Sequence, residues 1–304
     1  MVFEAWRRID YSSGSDLGDR LSRISRVYSK EEIEYVPSVD EYYNDSCWAY
    51  RFFYNNSGYI HLGVSDWEGY RSGPEAILDY ISSYIERNGV RSVLELGYGV
   101  GSDLAFLSKR HPDVRFVGVD RVNRPLKRNA VIRNVHYIRG DFEDVGRFFS
   151  TGFDLVIAIE AVCYSPDLTV VDAVADVLSP DGSFIVFDIY NNTERSLTNE
   201  ERRARVACAR SVGIDSFIDH TRAIEQFSRH FNITASADLS GNVLDSLERM
   251  ENIAAFFFRH PYLARIFNRF NPPAFTRNSI LGLLLPACLR NGALVYYMDT
   301  LRRS

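Results

Sequence analysis

The sequence predicts an α/β fold built on a doubly wound, parallel sheet, and three observations carry that expectation. Short apolar runs alternate with helical patterns between residues 93 and 190, the arrangement that threads parallel strands through crossover helices. The run Val93-Leu-Glu-Leu breaks into Gly97, Gly99 and Gly101 and then becomes helical, as a strand does where a ligand must touch backbone. A second run, Phe116-Val-Gly-Val-Asp120, ends in an acid about 20 residues beyond the glycines, where such folds place a ribose-binding carboxylate.

The remaining elements follow in order. Residues 15–29 carry Leu17, Leu21, Ile24, Val27 and Tyr28 at near-helical spacing, which predicts an amphipathic helix. An aromatic-dense segment from Tyr42 to Tyr54 leads into Gly58-Tyr-Ile-His-Leu-Gly63. Pro74 opens a pattern with Ile77, Leu78, Ile81 and Ile85, the helix expected before the first strand. Tyr137-Ile-Arg-Gly-Asp141-Phe142 reads as the end of a third strand and Phe153–Glu160 as a fourth. Leu178–Asp188 reads as a turn followed by a fifth strand. His230–Asp238 and Gly292–Arg302 supply the last two strands. Between these lies a stretch, 241–291, dense in Phe, Tyr and Leu.

Composition narrows the function classes. In 304 residues, 46% are hydrophobic and 25% charged, ordinary values for a globular protein, and no apolar run is long enough to span a bilayer. The first residues lack the order of a secretory leader, so a cytoplasmic protein without integral membrane association is expected. A net charge of -5 argues against a broad nucleic-acid footprint. Cys47, Cys163, Cys208 and Cys288 are scattered without metal-ligand spacing, so no metal site is expected.

Glycine spacing separates two ligand classes. A dinucleotide-binding turn reads G-x-G-x-x-G, whereas here the third glycine comes one residue early and Ser102 follows. Glu95 would repel a diphosphate but attract a ligand bearing an amino group and a sulfonium. From these residues the chain resembles the class I S-adenosylmethionine-dependent methyltransferases, whose first motif is E-x-G-x-G-x-G. The resemblance implies a Rossmann-like sheet of seven strands with the last one antiparallel, and S-adenosyl-L-methionine as cofactor. It implies cofactor contacts from Glu95, Gly97, Tyr98, Gly99, Gly101, Asp120, Arg121, Asp141, Phe142 and Glu160. The Tyr98 ring either covers the methionine portion or packs under the turn.

The N-terminal segment looks like the cap of sarcosine/dimethylglycine- and tocopherol-type enzymes, and the insertion resembles the lid of tocopherol- and sterol-type enzymes. The expected organisation is therefore a single domain over 1–304, with a helical cap at 1–73, a cofactor-binding core at 74–240, a helical lid at 241–291 and the final strand at 292–304. Glu160 and His61 are the leading candidates for a catalytic base, ahead of Tyr164, Tyr190 and His220, because they fall at strand ends or in the cap. Tyr43, Tyr54, Tyr164, Tyr190, Phe257 and Phe267 are the expected acceptor contacts. The function expected is methyl transfer to a small apolar or amphipathic molecule. The alternatives are N-methylation of a small amine or amino acid, a nicotinamide-dependent oxidoreductase, and a noncatalytic cofactor-binding protein. The insertion could instead form a homodimer contact.

Overall fold

The computed structural model describes residues 17–49, 58–122, 129, 131–150, 152–165 and 167–304. The described residues fall into two compact units: one drawn from 1–54, 194–217 and 247–294, the other from 55–193, 218–246 and 295–304. Among the described residues, no helix is long and apolar enough to cross a membrane.

The second unit holds a seven-stranded sheet of β1 (Ser92–Leu96), β2 (Arg115–Asp120), β3 (Val135–Arg139), β4 (Phe153–Ile159), β5 (Leu178–Asn191), β6 (Phe231–Asp238) and β7 (Leu294–Arg303). Their order across the sheet is β3-β2-β1-β4-β5-β7-β6. β1 runs parallel to both β2 and β4, and β6 pairs antiparallel with β7. All of β1 and nearly all of β4 are buried, which explains their continuous apolar runs. β6 sits at the edge and, after buried Phe231, alternates exposed with half-buried residues along its length.

Connections leave β1 toward opposite sides for β2 and β4, so β1 marks the switch point where such sheets bind ligands at their carboxyl ends. Register brings those ends level: Leu96 pairs with Val119 of β2 and with Ala158 of β4. Glu95, Asp120 and Glu160 therefore arrive at one edge. The helix Glu75–Asn88 covers the sheet with Ile77, Leu78, Ile81 and Ile85, the apolar face its periodicity predicts.

β5 departs from the expected turn and strand. Leu178 already pairs with Phe153, and the next pair is Ser183 with Leu155. Ser179–Gly182 is thus absorbed as a register shift rather than a separate turn, because extra residues on one strand can bulge while the ladder resumes beyond them.

The first unit is helical, with Leu17–Ser25, Lys30–Glu34, Val39–Ala49, Asn199–Ser211, most of Leu244–Arg259, Pro261–Phe270, Pro273–Thr276 and Asn278–Arg290. Asn278–Arg290 is buried from Ile280 through Leu289 and so forms the unit's central helix. Gly282 lets it approach its neighbour: a Cβ there would lie 2.8 Å from Met250 Cγ. Polar groups in this core are tied off. Glu251, 1% exposed, accepts from Arg20 at 2.8 Å and from both terminal nitrogens of Arg290 at 2.9 and 2.6 Å. Buried Arg277 donates to the carbonyls of Glu32, Ile33 and Arg210.

A buried carboxylate between two arginines predicts a large effect on removal. Glu251→Leu should cost about 3–5 kcal/mol, because it strands the Arg20 charge. The double variant Arg20→Met with Glu251→Leu should recover part of that loss. Urea unfolding checks both, and a Glu251→Leu protein as stable as wild type would show that the ion pairs carry no structural weight.

Candidate active site

The site is built where β1 ends. After Leu96 the backbone passes through Gly97, Gly99 and Gly101 with φ of 73°, 52° and 73°, left-handed conformations that side chains rarely adopt. The Gly97 N–H donates to Val119 O at 2.8 Å, joining the turn to β2, and the helix Ser102–Arg110 starts at Gly101. Space is also lacking. A Cβ on Gly97 would lie 2.9 Å from Ala161 Cβ, and one on Gly99 would lie 2.2 Å from Ile60 Cδ1. The Tyr98 ring takes the place under the turn: it is buried, tilted 4.7 Å from Tyr137, and close against Gly118.

Asp120 orients this turn from the end of β2. One carboxylate oxygen accepts from the Gly99 N–H at 2.8 Å and the other from the Val122 N–H at 2.7 Å. At the end of β3, Asp141 caps the short helix Phe142–Asp144 by accepting from the Glu143 N–H at 3.0 Å, while Arg121 pairs with its other oxygen. Phe142 packs half-buried against the core.

The Gly58–Leu62 segment lies across the glycine turn. Ser102 donates to Gly58 O at 3.0 Å, Ile60 rests on Gly99, and the Leu62 N–H donates to Glu160 Oε1 at 2.7 Å. The Tyr296 hydroxyl donates to the same oxygen at 3.1 Å. Glu160 follows β4 with φ 53°, a conformation costing a non-glycine residue roughly 1–3 kcal/mol. His61 is 3% exposed; its Nδ1 lies 2.9 Å from Leu62 O and its Nε2 lies 3.3 Å from Asp103 Oδ1, without the alignment of a hydrogen bond.

Charges here are strongly perturbed. Burial first, and then the nearby carboxylates of Asp103 and Asp120, push Glu95 well above the usual carboxylate range. Its Oε2 is buried with no hydrogen-bond partner among the described residues. Burial by itself would lower the His61 pKa, but Asp103 and Glu160 outweigh it and raise it to about 9. His61 is therefore an imidazolium at neutral pH, able to donate a proton but not to accept one. Burial raises Glu160, with His61 and the Leu62 and Tyr296 bonds pulling it back. Asp188, toward the carboxyl end of β5, is pushed by burial to about 7 while accepting from the Cys163 and Ile189 N–H groups.

Glu95, the glycine turn, Asp120, His61 and Glu160 thus meet at one edge. Tyr164 ends the short helix Val162–Tyr164 just after Glu160. Tyr190 is buried, its hydroxyl without a partner among the described residues and its ring 5.0 Å from His220, which stacks on Tyr297 and pairs with Asp299 at 3.3 Å. Tyr43 belongs to the helical unit, where it packs edge-on against Tyr42. Tyr54 lies outside the described residues. Phe257 and Phe267 also belong to the helical unit, their rings 5.9 Å apart. Together with Met250, Ile253, Leu263 and Phe275 they line a cavity of about 340 Å³.

Asp103 and Tyr296 were not legible from the sequence as site residues. Asp103 occupies the first turn of a helix, where an acid has an ordinary electrostatic reason to be. Tyr296 sits within a buried strand and reads as core.

The residues present suit S-adenosylmethionine. Among the described residues Glu95 Oε2 is a buried acceptor lacking a donor, a match for an ammonium group, and the three glycines of the turn add no side chain of their own. Residues 93–182 match the family described as methyltransferase domain. No curated protein matches the chain. Among solved structures, it is similar to the cyclopropane synthase MmaA2 from Mycobacterium tuberculosis, at 17% identity over 88% of this chain and 99% of that one, with a TM-score of 0.66. It is also similar to a Galdieria sulphuraria structure assigned as a sarcosine dimethylglycine methyltransferase, at 20% identity over 86% and 98%, with a TM-score of 0.63. A mycolic acid cyclopropane synthase complexed with SAH and CTAB aligns at 16% identity over 88% and 99%, with a TM-score of 0.65. With the family match on residues 93–182 set on this sheet, the chain is an S-adenosylmethionine-dependent enzyme of the class I methyltransferase fold.

Proposed function

We propose that the chain methylates a small molecule with a substantial apolar part, a terpenoid, quinol or similar lipophilic metabolite. The observation that carries this reading is the cavity of the helical unit, whose wall is apolar apart from a few groups such as Asn278, Ser279 and His260. Walls of that kind bury hydrocarbon and leave orientation to a few polar contacts. Among the structural neighbours, one is named for a mycolic acid and another for sarcosine and dimethylglycine, so the fold serves both apolar and amine acceptors. A second reading, an amine acceptor, is favoured by the buried carboxylates Glu160 and Asp188.

In this reading Glu95 holds the cofactor's amino group and Asp120 its ribose hydroxyls. Asp141, fixed by Arg121, and Phe142 hold the adenine, and Gly97, Gly99 and Gly101 admit it to the backbone. When bound, S-adenosylmethionine supplies an electrophilic methyl for in-line displacement. The chain then has to align the acceptor and exclude water. His61, charged at neutral pH, and Glu160 serve this purpose by fixing the Gly58–Leu62 segment across the turn, and Tyr164 and Tyr190 contribute acceptor contacts. Phe257 and Phe267 line the cavity of the helical unit.

Cofactor binding should depend on pH through Glu95. An ammonium needs the carboxylate form, whereas burial and the nearby carboxylates of Asp103 and Asp120 favour the protonated acid in the free protein. Affinity should therefore climb as pH rises through the raised Glu95 pKa and fall below it, with proton release on binding. Calorimetry in buffers of differing ionisation enthalpy counts the protons; Glu95→Gln should bind weakly and release none. Wild-type binding without proton release would remove Glu95 from the amino-group site.

Glu160→Gln keeps the acceptor for Leu62 and Tyr296 but loses its charge, so it should lower the His61 pKa, visible as an earlier titration of the ring by NMR. Both Glu160→Gln and His61→Ala should reduce turnover more than cofactor affinity. Unchanged turnover in both would place them outside the reaction.

The acceptor class is tested with a panel of quinols, terpenoids and small amines, assayed with wild type and with Phe257→Ala. Loss of methylation of apolar acceptors with cofactor affinity intact is the expected result. Methylation confined to amines would replace this reading with the second one.

A further inference from the structure

The helix Pro261–Phe270 is an anomaly on the helical unit. Tyr262 is 76% exposed, Leu263 60% and Phe270 78%, with Ile266 and Phe256 nearly half exposed. Tyr262, Ile266 and Phe270 recur every four residues and so form one outward stripe, while Ala264 on the opposite side is buried. Isolated exposed hydrophobics need no explanation, but a contiguous stripe on a short helix marks a surface that meets something apolar.

Charge identifies the partner. The chain as a whole carries net charge -5, yet no Asp or Glu occurs between Glu251 and Asp299. Arg259, Arg265 and Arg269 flank the apolar stripe and are all exposed. Apolar residues on one helical face with arginines at its border, in a stretch of sequence without acids, suit the boundary between lipid headgroups and acyl chains. A protein partner would require only the apolar match; the absence of every acid across this segment matches anionic headgroups. The surface is also continuous with the cavity, since Leu263 and Phe267 are exposed and line it as well.

We propose that Pro261–Phe270 docks the protein on the surface of an anionic lipid bilayer, lying in the interface with Tyr262, Leu263, Ile266 and Phe270 immersed and Arg259 and Arg269 on the headgroups. Docking would present membrane-dissolved molecules to the mouth of the cavity. It does not depend on the acceptor reading, because lipid binding is read without cofactor or acceptor.

Flotation of the full chain with phosphatidylcholine vesicles, with and without phosphatidylglycerol, tests it. Binding should require phosphatidylglycerol and weaken as salt is raised. Tyr262→Ser with Phe270→Ser should abolish it. Arg259→Gln with Arg269→Gln should weaken it about fivefold per arginine and flatten the salt dependence. S-adenosylmethionine affinity and thermal midpoint should stay at wild-type values in both variants, which separates lost docking from lost folding. No binding to phosphatidylglycerol vesicles at low salt, or wild-type binding by both variants, overturns the proposal. So does lipid-independent self-association that the same substitutions abolish, which would assign the stripe to a second copy of the chain.

Discussion

Burial of Glu95 beside Asp103 at the carboxyl edge of the sheet is the constraint around which the sheet unit is arranged. Two carboxylates held near each other in a low-dielectric setting cannot both keep their charge cheaply, and Asp120 adds a third. The chain answers with His61, drawn in from the segment that crosses the glycine turn and held charged by Asp103 and Glu160. Glu160 is in turn held by Leu62 and Tyr296 at a strained backbone angle. One cation thus offsets part of an acidic excess, and Glu95 keeps an oxygen without a donor among the described residues. A second cation brought by a ligand would complete the balance, which is why the electrostatics and the glycine turn point to the same cofactor.

The sheet was legible because its strands are buried on both faces and therefore appear as uninterrupted apolar runs, as in Val93–Leu96 and Phe153–Ile159. The edge strand Phe231–Asp238 was legible for the opposite reason, its alternation between half-buried and exposed residues. β5 was misjudged at its start because Ser-Pro-Asp-Gly has turn chemistry, and only the pairing of Leu178 with Phe153 shows that the ladder has already begun.

The site divides along similar lines. Glu95 and the glycines are adjacent in sequence and read as a motif, and Asp120 follows at a characteristic interval. Contacts that join distant segments left no such trace. Nothing in the sequence links Tyr296 to Glu160, or His61 to Asp103, because those pairs depend on register and on the path of Gly58–Leu62. The charge of His61 was equally hidden. An isolated histidine reads as a base near its ordinary pKa, and only the carboxylates around it convert it to an imidazolium.

Net charge was the least informative number. At -5 it argues against a broad basic face of the kind nucleic acid would demand. Yet a sum says nothing about segregation, and this chain segregates its charges sharply. Carboxylates crowd the end of the sheet, where a cationic ligand would be welcome, while the stretch from Asn252 to Met298 contains none. Within that stretch two arginines are satisfied internally: buried Arg277 by three carbonyls, and Arg290 by the buried Glu251, which lies just before the stretch. Arg259 and Arg269 are exposed instead, beside the exposed aromatic stripe. Internal packing accounts for the first pair of arginines and not for the second, so the composition of this segment has to be read as a property of its outer surface.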